Sequence, residues 1–304
     1  MSEQVAEHNG TYYIPPQGSP WPILASIGLF LVATGGADFI QESTTFGTEV
    51  LGRTGHDGKF VFAAGVVWLV FILFLWWRDT IKESLSGLHS HQLGVSYRMG
   101  MAWFIFSEVM FFGAFFGALF YTRWLSIPWL GGEGAKPLTH EVLWPTFQAM
   151  WPLTTTPDGR TTEAMSAWGI ATINTALLLT SSVTLTIAHH ALLMKNRLKL
   201  AIFHAITVIL GVTFLSLQVY EYAEAYTHMG LTLHAGIYGS LFFFMTGFHG
   251  LHVTLGTLML MVMWIRVLKG HFTPENHFAY EAAAWYWHFV DVVWLFLFVC
   301  VYWL

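Results

Sequence analysis

The chain has little charge and almost no thiol. Of its 304 residues only 10% are Asp, Glu, Lys or Arg, against about 25% in an ordinary soluble domain. With 55% apolar residues, 15 Trp and 26 Phe, too little polar material remains to cover a water-facing surface. That excludes a soluble enzyme and a disordered chain. It also excludes a nucleic-acid binder, because 13 Lys and Arg against 18 Asp and Glu leave a net charge of −5 and no basic stripe. One cysteine, Cys300, excludes an internal disulfide and any multi-thiolate metal site. The first twenty residues carry Glu3 and Glu7 and lack a basic leader region, so the first apolar run is expected to remain as a membrane span. No internal repeat is visible, which speaks against an inverted-repeat transporter.

Long apolar runs are what the sequence has in abundance. A spanning helix takes ~20 mostly apolar residues. Seven stretches qualify: about Pro22–Phe39, Phe60–Trp77, Met99–Leu125, Ala164–Ala188, Leu200–Tyr220, Ala235–Ile265 and Ala282–Leu304. Trp21, Trp76, Trp77, Trp124, Trp129, Trp144, Trp151, Trp285 and Trp287 gather toward the span ends, as an aromatic belt does. The expected organisation is an N-terminal cytoplasmic segment 1–20, a two-helix membrane unit with its inner loop over 21–98, and a five-helix membrane unit over 99–304. Loops 78–98 and 126–162 are expected to be the longest, the second an ordered loop on the outer side.

Cations set the expected orientation. Arg78, Lys82, Arg98, Lys195, Arg197, Lys199, Arg266 and Lys269 fall on the N-terminal side, and Arg53, Lys59, Arg123, Lys136 and Arg160 on the other. The positive-inside rule then puts the N-terminus in the cytoplasm and the C-terminus outside. The loop after span five, read as carrying Glu221 and Glu224 and no cation, agrees.

Polar groups at membrane depth are the functional candidates. Glu108 lies in the middle of span three, where a lone charge costs ~2.5–3.5 kcal/mol, so it is expected to be protonated or closely partnered. Gly113 and Gly117 form a small-xxx-small pair that suits close helix packing. His249 and His252 are three residues apart on span six, and His288 and Asp291 on span seven, so each pair shares a helix face. A metal or haem pocket and interhelical hydrogen bonding both fit this spacing. Too few converging ligands favour the second. At the inner interface Trp77, Glu83, Arg98, Arg266, Lys269 and His271 form a set suited to lipid headgroups, against the plain alternative of positive-inside topology. His8, His89 and His91 are candidates for an inner-surface proton buffer.

Several motifs together resemble one family. Ala284-Trp285-Tyr286-Trp287-His288-Phe289-Val290-Asp291-Val292-Val293-Trp294-Leu295-Phe296 is similar to a signature of subunit III of haem–copper cytochrome c oxidases. So are Tyr238-Gly239-Ser240-Leu241-Phe242-Phe243, Thr246-Gly247-Phe248-His249-Gly250-Leu251-His252-Val253, Ser107-Glu108-Val109-Met110-Phe111-Phe112, Asn174-Thr175, Ala188-His189-His190 and Trp76-Trp77-Arg78-Asp79. The match runs from about Pro20 to the C-terminus.

The resemblance implies an all-α polytopic membrane protein of seven transmembrane helices, with helices one and two separated from three to seven by a lipid-binding cleft. It implies an accessory subunit without catalytic residues or a redox centre. Haem a, haem a3 and copper B would lie in subunit I and the dicopper copper A centre in subunit II, with cytochrome c as substrate of the complex. It implies bound phospholipids, support of proton uptake into subunit I, and protection from inactivation in turnover. Glu108 would correspond to the family's intramembrane carboxylate, and Arg98, Arg266, Lys269 and His271, with the Trp77 neighbourhood, to its lipid-associated groups. The length of loop 126–162 favours a bacterial cytoplasmic membrane. A redox subunit using His249, His252 and His288, and a stand-alone proton channel using Glu108, are the competing readings.

Overall fold

The computed structural model describes residues 18–42, 57–89, 91–134 and 137–303. Seven long helices carry the fold: α1 Trp21–Glu42, α2 Gly58–Leu85, α3 His91–Tyr121, α4 Ile170–Leu193, α5 Arg197–Thr227, α6 Ile237–Leu268 and α7 Phe278–Leu297. Each is long and apolar enough to cross a membrane. Away from the helix ends the backbone groups are then paired within their own helix, as lipid demands. Two short helices, Ile127–Leu130 and Pro137–Leu143, follow α3, and π-helical turns extend α3 over Thr122–Ser126 and α7 over Phe298–Trp303. The N-terminal segment 1–20 lies mostly outside the described residues, as do His8, Arg53, Lys136 and the His91 side chain.

The seven spans stand where the apolar runs put them, but their ends differ. The helix expected to stop at Trp77 continues to Leu85, through Arg78, Asp79, Lys82 and Glu83. The expected long loop 78–98 is therefore a short link before α3. Charged straight-chain residues are good helix formers, and a helix need not end where lipid ends. For the same reason α5 runs on past Tyr220 to Thr227, so Glu221 and Glu224 are helical, not loop residues. Span four begins at Ile170 rather than Ala164, because Gly169 at φ 141° breaks the helix before it.

The chain divides into two compact units, residues 1–97 and 98–304. In the first, α1 and α2 pack through glycine. Gly28 and Gly35 lie seven apart on α1, and Gly58 and Gly65 seven apart on α2. A Cβ on Gly35 would run into the Phe62 backbone nitrogen, one on Gly65 would lie 2.7 Å from the Val32 nitrogen, and one on Gly58 2.5 Å from the Phe39 nitrogen. Backbone touches backbone along this seam.

The second unit has a core of large side chains, with Trp287 at its centre. The indole is fully buried. A Cβ on Gly211 of α5 would lie 2.8 Å from its ring and one on Gly256 of α6 3.0 Å, while its Nε1 donates to Ser181 Oγ of α4 at 2.9 Å. One side chain thus joins four helices, and Trp287 is a core residue rather than part of the expected aromatic belt. The Gly113–Gly117 pair, expected to pack, has nothing within 4 Å of either added Cβ.

The long loop 126–162 is ordered by its own bonds in its described part. Thr155 and Thr161 form an antiparallel bridge. The Thr156 hydroxyl bonds Asp158, whose other oxygen pairs with Arg160 Nε at 2.9 Å. Arg160 Nη1 also donates to the His234 carbonyl at 3.1 Å, tying the loop to the α5–α6 connection. The Thr156 hydroxyl, and secondarily Arg160, hold the Asp158 carboxyl below the usual carboxylate range.

Candidate functional site

The expected site residues divide into three places. The first is the contact of α3 with α6. Glu108 Oε2 is 2.9 Å from His252 Nε2, and His252 Nδ1 is 2.7 Å from the Phe248 carbonyl of its own helix. A ring nitrogen facing a carbonyl must carry the hydrogen when the two bond, so Nδ1–H donates there and Nε2 faces the acid. Phe111, Phe112 and Tyr286 enclose the imidazole. The intramembrane carboxylate is therefore a partnered group, its side chain 22% exposed.

The four helix-packing residues do not converge. His249 Nε2 meets the Val290 carbonyl of α7 at 3.2 Å, and its ring packs against Phe214 and Trp294. His252 turns to Glu108. His288 Nδ1 meets Ser182 Oγ of α4 at 2.6 Å and stands 4.0 Å from Asp291. Among the described residues no group of three or more His, Cys, Asp or Glu is placed to hold a metal ion.

The third place is the cation-rich end of the second unit. Arg98 is committed to Glu281: its Nε lies 3.0 Å and its Nη2 2.9 Å from one carboxylate oxygen. Arg266 is different. It is 6% exposed, its guanidinium stacks on Phe272 at 4.5 Å, and its Nε has no partner. Lys269 caps α6, and the backbone of His271 bonds back to the Arg266 carbonyl. Gly270 between them has φ 71°, and the Arg197 guanidinium lies over it, 3.1 Å from where a Cβ would stand. Arg197 thus joins the cluster, although span edges alone gave no reason to single it out. Burial, then Arg266 and Lys269, push the His271 imidazole pKa down. In the first unit Trp77 is exposed, and burial lowers the His89 imidazole pKa, with Glu83 offsetting part of that shift.

A further buried network went unread. Glu221 is 1% exposed. Its Oε2 accepts from Gln218 Nε2 at 2.8 Å and from the Tyr302 hydroxyl at 3.0 Å, and Asn174 Nδ2 donates to Gln218 at 3.4 Å. The carboxyl joins α5 to the π-helical turn after α7, and α4 is linked in through Gln218. The only signal in the sequence was the i, i+3 spacing of Gln218 and Glu221, just past the end of the apolar run.

Comparison with known proteins gives one answer. The family profile of cytochrome c oxidase subunit III matches residues 11–304. Cytochrome c oxidase subunit 3 of Prototheca wickerhamii is 42% identical over 287 residues, covering 93% of this chain and 94% of that protein. The subunit 3 proteins of Marchantia polymorpha and Arabidopsis thaliana are 41% and 38% identical, each over 94% of this chain and 93% of their own length.

Proposed function

The chain belongs to the cytochrome c oxidase subunit III family, and from that premise we propose that it is the accessory, non-redox subunit that holds structural phospholipid and supports proton uptake into subunit I. It is a membrane-embedded component of a proton-translocating oxidase complex. In this reading it packs directly on subunit I beside subunit II. Haem a, haem a3, copper B and copper A stay in those partners, which pass electrons from cytochrome c to O2.

Arg266 carries the lipid part. A buried guanidinium costs free energy unless paired, and among the described residues Arg266 has no carboxylate partner. A lipid phosphate at the membrane surface supplies the missing charge and accepts from planar N–H donors. Lys269 and Arg197 flank it. Arg98 contributes less, because Glu281 already holds it. The Glu108–His252 pair carries the proton part: a carboxyl and an imidazole 2.9 Å apart exchange a proton without moving.

The N-terminus is assigned to the cytoplasmic side by the eight-to-five cation count. A bacterial membrane is supported only by the length of loop 126–162, since the relatives named above are eukaryotic.

The test is Arg266→Ala with Lys269→Ala in the intact oxidase. Native mass spectrometry counts bound phospholipid, and repeated turnover measures active lifetime. The reading expects fewer retained lipids and a shorter lifetime with unchanged initial rate. Unchanged lipid retention and lifetime overturn it.

A further inference from the structure

The seam between α4 and α7 gathers titratable groups that the lipid and Glu108 readings do not use. On α4, Ser182 and His189 are seven residues apart; on α7, His277, Glu281, His288 and Asp291 follow at four, seven and three. Those spacings keep each set on one helix face. The line starts at the cation-rich end, where His277 caps α7 and Glu281 pairs with Arg98. The His189 and His277 rings stand 5.6 Å apart. Glu281 and His288 are both within electrostatic reach of His189, as is His190 on the exposed side. His288 meets the Ser182 hydroxyl at 2.6 Å, and that hydroxyl also reaches the Asp291 carboxyl. The line ends there, at mid-helix.

Two features mark it as more than packing. Asp291 is 4% exposed, and neither carboxylate oxygen has a well-formed hydrogen bond from the protein. No cation faces it. A buried carboxylate in that state is costly, whereas a protonated one carries its own donor. Second, His189 Nε2 and His277 Nδ1 are also buried without a protein partner, so the approach to Asp291 is lined by ring nitrogens free to take and give a proton. The neighbouring His204 is unlike them, since both of its nitrogens are engaged, by Tyr280 and the Leu260 carbonyl.

We propose that this seam is a proton-binding branch, with Asp291 holding the proton and His277, His189, His288 and Ser182 relaying it from the cation-rich end. The proton passes from water at the rim to a ring nitrogen, between the neighbouring His277 and His189 rings, by way of water to His288, and through the Ser182 hydroxyl onto an Asp291 oxygen. Only N–H and O–H bonds form and break. The branch stands apart from Glu108 and does not depend on subunit I drawing from it.

Infrared spectroscopy of the intact oxidase complex tests this. The wild-type spectrum minus that of Asp291→Asn contains a protonated-carboxyl C=O band that shifts in D2O. His189→Phe keeps the band and slows its exchange by about a hundredfold, the lower end of what one positioned acid–base group contributes to proton transfer. Should Asp291→Asn not assemble, Asp291→Glu displaces the band in its place. A difference spectrum without that band overturns the proton on Asp291. A band whose exchange is as fast in His189→Phe as in wild type overturns the route.

Discussion

The two units join their helices in opposite ways. α1 and α2 meet through Gly35, Gly58 and Gly65, with backbone against backbone, and through Gly28, which takes the Leu69 and Trp68 side chains. α4 to α7 meet through large rings and polar side chains: Trp287 on Ser181, Trp294 on Thr175, His204 on Tyr280, Thr184 on Thr207, Tyr302 on Glu221. Lipid tails are as apolar as leucine, so apolar burial alone does not drive helices together in a membrane. Close packing and interhelical hydrogen bonds must do it. The first unit relies mostly on close packing, with the Trp68 indole donating to the Leu24 carbonyl at 2.8 Å and the Gly58 N–H to Glu42 at 3.3 Å, and the second draws heavily on both. The polar route has a consequence the glycine route lacks, because it leaves ionisable groups at depth, where they are available for chemistry.

Breaking each seam at its centre separates the two modes. Trp287→Ala removes the ring that four helices share, and is expected to cost ~3–5 kcal/mol, as large-to-small core changes do. Its measure is a lower denaturant midpoint for the second unit, or loss of the chain from the assembled oxidase. Gly35→Val forces a side chain into the Phe62 backbone, which has no rotamer to change. Overpacking of this kind costs ~1–3 kcal/mol, and cysteines placed across α1 and α2 should cross-link less efficiently in the variant. Tyr302→Phe takes one donor from buried Glu221 at a cost of ~1 kcal/mol, read as faster hydrogen exchange near the end of α7.

The smallest effect belongs to loop 126–162. Asp158 is held below its ordinary value of 3.8 by the Thr156 hydroxyl. Its contribution to the turn is therefore complete above that value and lost as pH falls through the lower folded value. Protease cleavage between Thr155 and Thr161 should quicken in acid for the wild type, and Asp158→Asn should show the fast rate already at neutral pH.

Much of the fold was legible because length and apolarity are strong signals: all seven spans stood out as runs. Their ends did not, since nothing in the residue types of Arg78 to Leu85 or Glu221 to Thr227 forbids a helix from leaving the lipid. The glycine seam was missed because its repeat of seven is spread over two helices, while the visible small-xxx-small pair at Gly113 and Gly117 packs on nothing within 4 Å. At the site, Glu108 announced itself as a charge among phenylalanines. Its partner His252 lies 144 residues away, a distance that helix periodicity does not span. His249 and His252 were rightly placed on one helix, yet the two rings serve different neighbours.

Co-purification tests the central claim most directly. The tagged native chain, extracted in mild detergent, should bring down oxidase subunits I and II, and a reduced-minus-oxidised spectrum of the same sample should carry haem a signals. A colourless chain that emerges alone and conducts protons when reconstituted would contradict the account.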